Sequence, residues 1–251
     1  MNVEGTISIV SHGHGQLIGD ILGDLNKQEK IERWFIILTL NIAEEINVVD
    51  YVRLRIKVVQ NKTPKGFGAN HNTAAAMSEG RLLAIINPDI RLTTPDTLVK
   101  FSSMEWTHET GQLRAPLVLT AEGAKDDSVR QNLSIPNLIS RARERKAGWE
   151  IDPTGTDFFW LAGMFLIFRR DAFLGIGGFN EKFFLYCEDY DLSARWRLSG
   201  GSIELIDSIE VVHNARRNSH RSAKHFSWHF RSLLRVWFSP TFWRITLGRL
   251  S

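Results

Sequence analysis

The sequence is short of three things. It holds one cysteine, Cys187, among 251 residues. That excludes a disulfide framework and any all-cysteine metal site, and it suits a reducing compartment. Its longest apolar run, Phe158 to Phe168, falls well short of the ~18–20 residues a membrane-spanning helix needs. It also has no acidic residue after Glu210. The opening MNVEGTISIV lacks the basic start and apolar stretch of a secretory signal, so the chain is expected to stay in the cytoplasm, with any membrane contact peripheral. What is present is a globular composition, 43% hydrophobic and 24% charged with 8 Trp, which excludes disorder, collagen-like repeats and low complexity as descriptions of the whole chain.

The missing acids expose an asymmetry inside a dull net charge of +3. Residues 1–210 hold 23 Lys and Arg against 28 Asp and Glu, a formal −5, while residues 211–251 hold eight cations and no acid, a formal +8. An acidic body with a basic tail points to an anionic partner for the tail: a membrane surface, nucleic acid or another polyanion.

Along the chain, Thr6–Val10 reads as a strand, Ser11-His12-Gly13-His14-Gly15 as a glycine-bearing loop, and Leu17 to Leu25 as a helix. Trp34–Leu40 is a buried strand, and residues 52–59 alternate as an edge strand does. Lys65-Gly66-Phe67-Gly68 leads into a helix over Asn70–Ser78, and Arg81–Ile86 is a strand ending in Asn87-Pro88-Asp89. Thr94-Pro95 is expected to open a helix reaching about Trp106. This order predicts an α/β fold with a mostly parallel sheet between helices. Residues 120–157 are polar and without sustained periodicity, as in a lid or binding loop, with Arg141 to Lys146 reading as a solvated helix or a mobile loop. Phe158–Phe168 is a core strand or strand–helix join, Gly175 to Gly178 a turn, and Asp189–Ser199 a helix closed by Gly200-Gly201. Short strands follow near Ile203–Ile206 and Glu210–Val212.

Four groupings carry candidate chemistry. Asn87-Pro88-Asp89 follows a strand, where open α/β sheets bind ligands; its carboxylate suits a divalent cation, and its residue types equally suit a type I turn. Glu188-Asp189-Tyr190-Asp191 sets three carboxylates at a helix start, either as ordinary helix-dipole chemistry or as a base able to deprotonate a hydroxyl. Gly66 to Asn72 brings a glycine loop to a helix N-terminus, where N–H groups meet a phosphate or a turn needs positive φ. His213 ends a strand, and it matters only if the fold brings it to Asp89.

Together these blocks resemble the family 2 inverting glycosyltransferases, and among them bacterial rhamnosyltransferases of O-antigen and related surface polysaccharides. The resemblance rests on Gly66-Phe-Gly-Ala-Asn-His-Asn72, Leu83 to Asp89, Ser128-Val-Arg130 with Pro136, Trp160-Leu-Ala-Gly163, Gly177 to Leu192 and His213, in family order over roughly residues 5–215. It implies a GT-A fold, Rossmann-like, over residues 1–213, with a nucleotide-sugar half (1–110), an acceptor and catalytic half (111–213), and a basic helical tail over 214–251. By the same likeness Asp89 and His213 would hold Mg²⁺ or Mn²⁺, and Asp189 would be the catalytic base with Glu188 beside it. Ser11, His12, Gly66, Phe67, Gly68, Asn72, Asn87 and Arg130 would contact the donor, and Trp160 and Gly163 would line the acceptor side. The implied donor is a nucleotide-diphospho-sugar such as dTDP-L-rhamnose, and the implied acceptor a lipid-diphosphate-linked saccharide. The chain departs from the family at Leu38-Thr39-Leu40-Asn41, where relatives carry Asp-Asn, and at Ser11-His12-Gly13-His14, where many carry Asn-Tyr-Asn.

Two other readings compete. A sugar-nucleotide pyrophosphorylase would want a glycine- and arginine-rich first loop, which Ser11–Gly15 does not supply. A non-catalytic nucleotide-sugar binder is allowed by the missing acid at residues 38–41, but retention of Asp89, Glu188, Asp189 and His213 argues against it. In the tail, Phe226, Phe230, Leu233, Leu234 and Trp237 form a helical stripe with Lys224, Arg231 and Arg235 roughly opposite, and Ser239-Pro240 ends that helix. The stripe is expected to pack on the body. Phe242–Leu250, with Arg244 and Arg249, is expected to lie on an anionic membrane surface. No recognition motif for nucleic acid accompanies the charge.

Overall fold

The computed structural model describes residues 3–107, 111–143, 158–214 and 223–248. The second half of Arg141–Lys146, within the residues 144–157, and Arg216, Arg217, Arg221, Arg249 and Leu250 lie outside the described residues.

The core is an eight-stranded sheet in the order β3-β2-β1-β4-β9-β6-β10-β5. Its first half is parallel: β1 (Gly5–Ser11) lies between β2 (Trp34–Leu40) and β4 (Leu82–Ile86), and β3 (Arg55–Gln60) closes the edge. Ile7, Ile9, Ile36, Ile37, Leu38, Leu83 and Ile85 are inaccessible to solvent, as strands covered on both faces must be. β3 is exposed along most of its length, the edge character its alternation predicts. Val58 nonetheless faces solvent, since the strand begins at Arg55 and leaves Val52 outside the ladder.

β9 (Phe165–Arg169) pairs antiparallel with both β4 and β6 (Gln112–Thr120), and β10 (Ser202–His213) runs parallel to β6. The two short strands expected after residue 200 are therefore one, with a register break between Ile206 and Glu210. The two-residue β5 (Ile90–Arg91) pairs with the end of β10 and so fixes His213 opposite Ile90. A separate hairpin joins β7 (Val129–Gln131) to β8 (Phe159–Leu161).

Helices cover both faces. α1 (Gly15–Asn26) and α3 (Thr97–Ser103) bury Ile18, Ile21, Leu22, Leu98 and Phe101 on one side. α2 (Phe67–Ala76), α5 (Arg170–Gly175) and α6 (Glu188–Leu198) bury Ala75, Phe173, Leu192 and Trp196 on the other. This is the GT-A arrangement of a mostly parallel sheet with flanking helices.

Three local expectations change. α3 starts at Thr97 rather than at Pro95, because the Pro95 carbonyl accepts the Glu29 N–H (2.7 Å) and the Thr97 hydroxyl turns back to the Thr94 carbonyl. Phe158–Phe168 is not one run: β8 and β9 flank a turn closed by the Met164 N–H to the Ala162 carbonyl at 2.7 Å. α4 (Ile135–Arg143) is helical within the segment read as aperiodic.

The tail departs from the expected assignment in part: Leu233 and Trp237 of the stripe pack against the body as expected, the rest of the stripe does not, and the second piece is half-buried with Trp243 and Leu247 exposed. In α7 (Ala223–Trp237) the stripe residues Phe226 and Phe230 are exposed, and Ser232 and Val236 are buried against the body instead. In α8 (Pro240–Thr246) Phe242 and Ile245 are buried in a cluster with Trp160, Phe183 and Tyr190. The seven residues of α8 cannot hide an apolar side of their own, so their large side chains fill the gap beside α6. Among the described residues no helix is long and apolar enough to cross a membrane.

Candidate active site

One turn ties the main groupings together. The Met164 carbonyl accepts the Asn87 N–H at 2.9 Å, and the preceding Gly163 N–H donates to the Asp189 carboxylate at 3.0 Å. The end of β4 and the start of α6 are thereby fixed by consecutive residues of the β8–β9 turn. A Cβ at Gly163 would come within 3.2 Å of the Phe67 ring, so the turn sits close under the first residue of α2.

Asp189 has one carboxylate oxygen on the Gly163 N–H and the other on the N–H of Tyr190 at 2.9 Å. Burial raises its pKa, while the charge of Arg130 and these N–H groups oppose the rise. Glu188 is buried, and its Oε2 has no hydrogen-bond partner among the described residues. Burial first, and then the adjacent Asp189 charge, push its pKa well above the carboxylate range. Burial thus raises both acids, Glu188 well above the carboxylate range with no partner on its Oε2, and Asp189 against the pull of two N–H donors that support its anion. The third acid, Asp191, is structural. It pairs with Arg195 at 2.7 Å, and that guanidinium also caps the carbonyls of Ile176 and Gly178.

The backbone entering this pair is strained. Tyr186 and Cys187, neither of them glycine, hold φ values of 72° and 62°. Two successive left-handed residues cost about 1–2 kcal/mol each, and surrounding contacts must hold them. Phe67 N–H donates to the Phe184 carbonyl at 2.9 Å, and a Cβ at Gly66 would meet that same oxygen at 2.6 Å.

The glycine loop allows close packing rather than the positive-φ turn its sequence also suggests. Gly66 has φ −66° and admits the 184–187 loop; Gly68 admits Phe179, whose Cβ would lie 2.6 Å from an added methyl. The Phe67 N–H is already committed to Phe184. Asn72, expected at the donor, gives both ends of its amide to the Phe179 backbone and also donates to Glu181. Ser11 is inaccessible and accepts the His14 N–H. His12 is exposed and bonded to Asn41 at 3.1 Å. Asn41, passed over as the remnant of a missing acidic pair, is a hub: its amide also engages Lys65 and Asn61, tying the ends of β2 and β3 to the glycine loop.

At the sheet's carboxyl end, His213 Nε2 lies 3.1 Å from Asp89 Oδ2 and its Nδ1 lies 2.7 Å from Asp126 Oδ2. Burial alone would lower the His213 pKa; hydrogen bonds to the two carboxylates overcome it and raise it to about 9. The same bond from His213 holds Asp126 below its ordinary value. Sequence reasoning missed Asp126, which lies in the aperiodic segment 87 positions from its partner.

These residues fit a divalent cation. Asp89 Oδ1 is buried without a hydrogen-bond partner among the described residues, and His213 presents Nε2 beside it while Asp126 fixes the opposite nitrogen, as outer partners of metal-bound histidines do. Among the described residues no group of three or more ligating side chains could hold a metal ion, so a cation at Asp89 and His213 would take its other ligands from water or a bound diphosphate.

Arg130 lies over the Trp160 ring at 5.0 Å and its charge reaches Asp189. It thus stands near the candidate base Asp189. Trp160 is buried and donates its indole N–H to the Gln131 carbonyl, so it supports the wall beneath Arg130.

No protein-family model matches the chain. It is 26% identical over 247 residues to rhamnosyltransferase WbbL of Escherichia coli (strain K12), covering 91% of this chain and 90% of that protein. It is 31% identical over 132 residues to the N-acetylglucosaminyl-diphospho-decaprenol L-rhamnosyltransferase of Mycobacterium tuberculosis, covering 47% of this chain and 42% of that one. Its fold matches the mannosyltransferase PcManGT from Pyrobaculum calidifontis in complex with GDP-Man and Mn²⁺, at TM-score 0.59 and 18% identity over 98% of this chain and 68% of that one. The chain is thus similar in sequence to rhamnosyltransferases, and its fold is that of the GT-A glycosyltransferases.

Proposed function

We propose that the chain is an inverting, metal-dependent transferase that moves L-rhamnose from dTDP-L-rhamnose to a hydroxyl of a lipid-diphosphate-linked saccharide, working peripherally on the cytoplasmic face of a membrane. The observation that carries this reading is the Gly163-Met164 turn, which holds Asp189 and the Asn87–Asp89 segment at one place. Likeness to rhamnosyltransferases supports the sugar, and a relative named for a diphospho-decaprenol substrate supports the acceptor class.

In this reading Asp189 takes the proton of the acceptor hydroxyl as that oxygen attacks the anomeric carbon from the side opposite the diphosphate. The C–O bond to the diphosphate breaks in the same displacement, which inverts the configuration. Glu188, holding its proton, orients the acceptor through a hydrogen bond and keeps a second negative charge away from the nucleophile. Asp89 and His213 would hold Mg²⁺ or Mn²⁺, whose charge stabilises the leaving diphosphate.

The test is transfer from a panel of nucleotide-sugars with Mg²⁺ or Mn²⁺, using wild type and Asp189→Asn. The reading expects activity with dTDP-L-rhamnose and a loss of about 10²–10⁴-fold in the variant. A folded Asp189→Asn protein with full activity would sink the base assignment, and turnover confined to another sugar would sink the donor.

A further inference from the structure

The two sides of α7 meet different surroundings. Its inner side grips the loop that delivers Glu188 and Asp189. The Tyr186 hydroxyl meets His225 Nδ1 at 2.8 Å, the Ser232 hydroxyl donates to the Leu185 carbonyl at 3.0 Å, and the Phe184 ring lies 4.9 Å from Trp228. Arg235 stands over Phe183 at 5.5 Å.

Its outer side carries Phe226, Phe230 and Leu234 at successive intervals of four, and Phe238 extends the row in the turn just after the helix. Phe226 is 74% exposed, Phe230 49% and Phe238 84%. The Phe226 and Phe230 rings lie nearly parallel with centroids 6.4 Å apart, so they form one surface. Arg231 is exposed beside the row and Arg244 is exposed on α8.

We infer that this row is a lipid-docking surface. Phe226, Phe230 and Phe238 enter the boundary between headgroups and acyl chains of an anionic bilayer, and Arg231 and Arg244 meet the phosphates. Charge selects the occupant. Residues 211–251 carry +8 and no acid, so pairing this surface with the tail of a second copy would set cation against cation. An anionic bilayer offers apolar depth and the opposite sign together. The docking row thus lies on α7, and α8, with Phe242 and Ile245 buried, serves as its anchor in the body. Because the inner side of α7 holds the 182–187 loop, docking sets Asp189 at a constant height above the lipid. That last step rests on the lipid-linked acceptor proposed above; the docking itself does not.

The experiment is co-sedimentation of the full chain with vesicles of phosphatidylcholine alone or mixed with phosphatidylglycerol. Wild type is compared with a Phe226→Ser, Phe230→Ser, Phe238→Ser variant and with a Trp243→Ser, Leu247→Ser variant, each checked for its melting temperature. We expect wild type to bind the anionic vesicles and the α7 variant to bind at least about tenfold more weakly, with the α8 variant close to wild type. Absent wild-type binding, retained binding by the α7 variant, or an equal loss from the α8 variant overturns the proposal. So does an α7 variant that turns a wild-type dimer into monomers in sedimentation, since the row then joins two copies. Metal-dependent hydrolysis of the nucleotide-sugar without lipid reads the transferase assignment separately: hydrolysis without vesicle binding defeats the docking surface alone, and binding without hydrolysis defeats the transferase alone.

Discussion

Replacing His213 by Gln should change how stability responds to pH in the metal-free protein. Nδ1 at 2.7 Å from Asp126 and Nε2 at 3.1 Å from Asp89 favour the imidazolium strongly enough to overcome burial. A rise from 6.5 to about 9 corresponds to about 3 kcal/mol. Because the folded value lies above the unfolded one, this stabilisation is complete below pH 6.5 and disappears as pH climbs through 9. Asp126 has the opposite sign: its lowered pKa contributes above its unfolded value and is lost as pH falls through the folded one. Restricting the comparison to between about pH 6 and 9.5 leaves the carboxylates ionised and isolates the histidine. The assay is urea unfolding in EDTA of wild type and His213→Gln across that range. The advantage of wild type over the variant should shrink by about 3 kcal/mol from the acidic to the basic end. A constant difference would refute the account, because it would mean that the histidine holds its proton no more tightly in the folded protein than in the unfolded one. Asp126→Asn supplies a second check, since removing the closer carboxylate should shift the loss of stability toward lower pH.

Glu188→Gln should fold at least as well as wild type, since burial already keeps Glu188 protonated; its relative stability should improve as pH rises above the ordinary carboxylate pKa. A wild type more stable than the variant by over about 2 kcal/mol at pH 8 would instead show an ionised, paired glutamate. Gly66→Ala places a methyl 2.6 Å from the Phe184 carbonyl oxygen, so denaturant unfolding should show a loss of about 1–3 kcal/mol. Its kcat should fall more than its donor affinity, because the displaced loop carries Asp189 rather than the Asp89 end of the site; an unchanged midpoint would contradict the packing role.

The sheet's first half was legible because its signals are local. Trp34–Leu40 is apolar apart from Thr39 and bounded by polar residues, and the strand has those same limits. α6 follows its acids and ends where Gly200, at φ 86°, breaks it. Short-range chemistry of this kind depends on neighbours within a turn or a pleat, which a sequence displays directly. Phe158–Phe168 was ambiguous for the complementary reason: an apolar run does not reveal that Gly163 bends it so that one N–H can meet a carboxylate 26 positions away.

The residue types of the site were visible, and so was the family they resemble. Their partners were not. Glycines 66 and 68 look like a phosphate loop in sequence, yet the parts they admit, Phe184 and Phe179, arrive from over a hundred residues downstream. The helical period of the tail predicted a stripe on α7 but could not orient it: the body offered Tyr186 and Leu185 as hydrogen-bonding partners, so the face with His225 and Ser232 turned inward and the phenylalanines stayed outside. The sequence alone therefore determined the α/β pattern, the candidate acids and the charge of the tail, since each is a property of a short stretch. Only the tertiary structure decided that Asp126 completes His213, that Asp189 meets two N–H donors while Glu188 Oε2 meets none among the described residues, and which side of α7 faces solvent. Those outcomes depend on strand order and burial, which are set by contacts between distant parts of the chain.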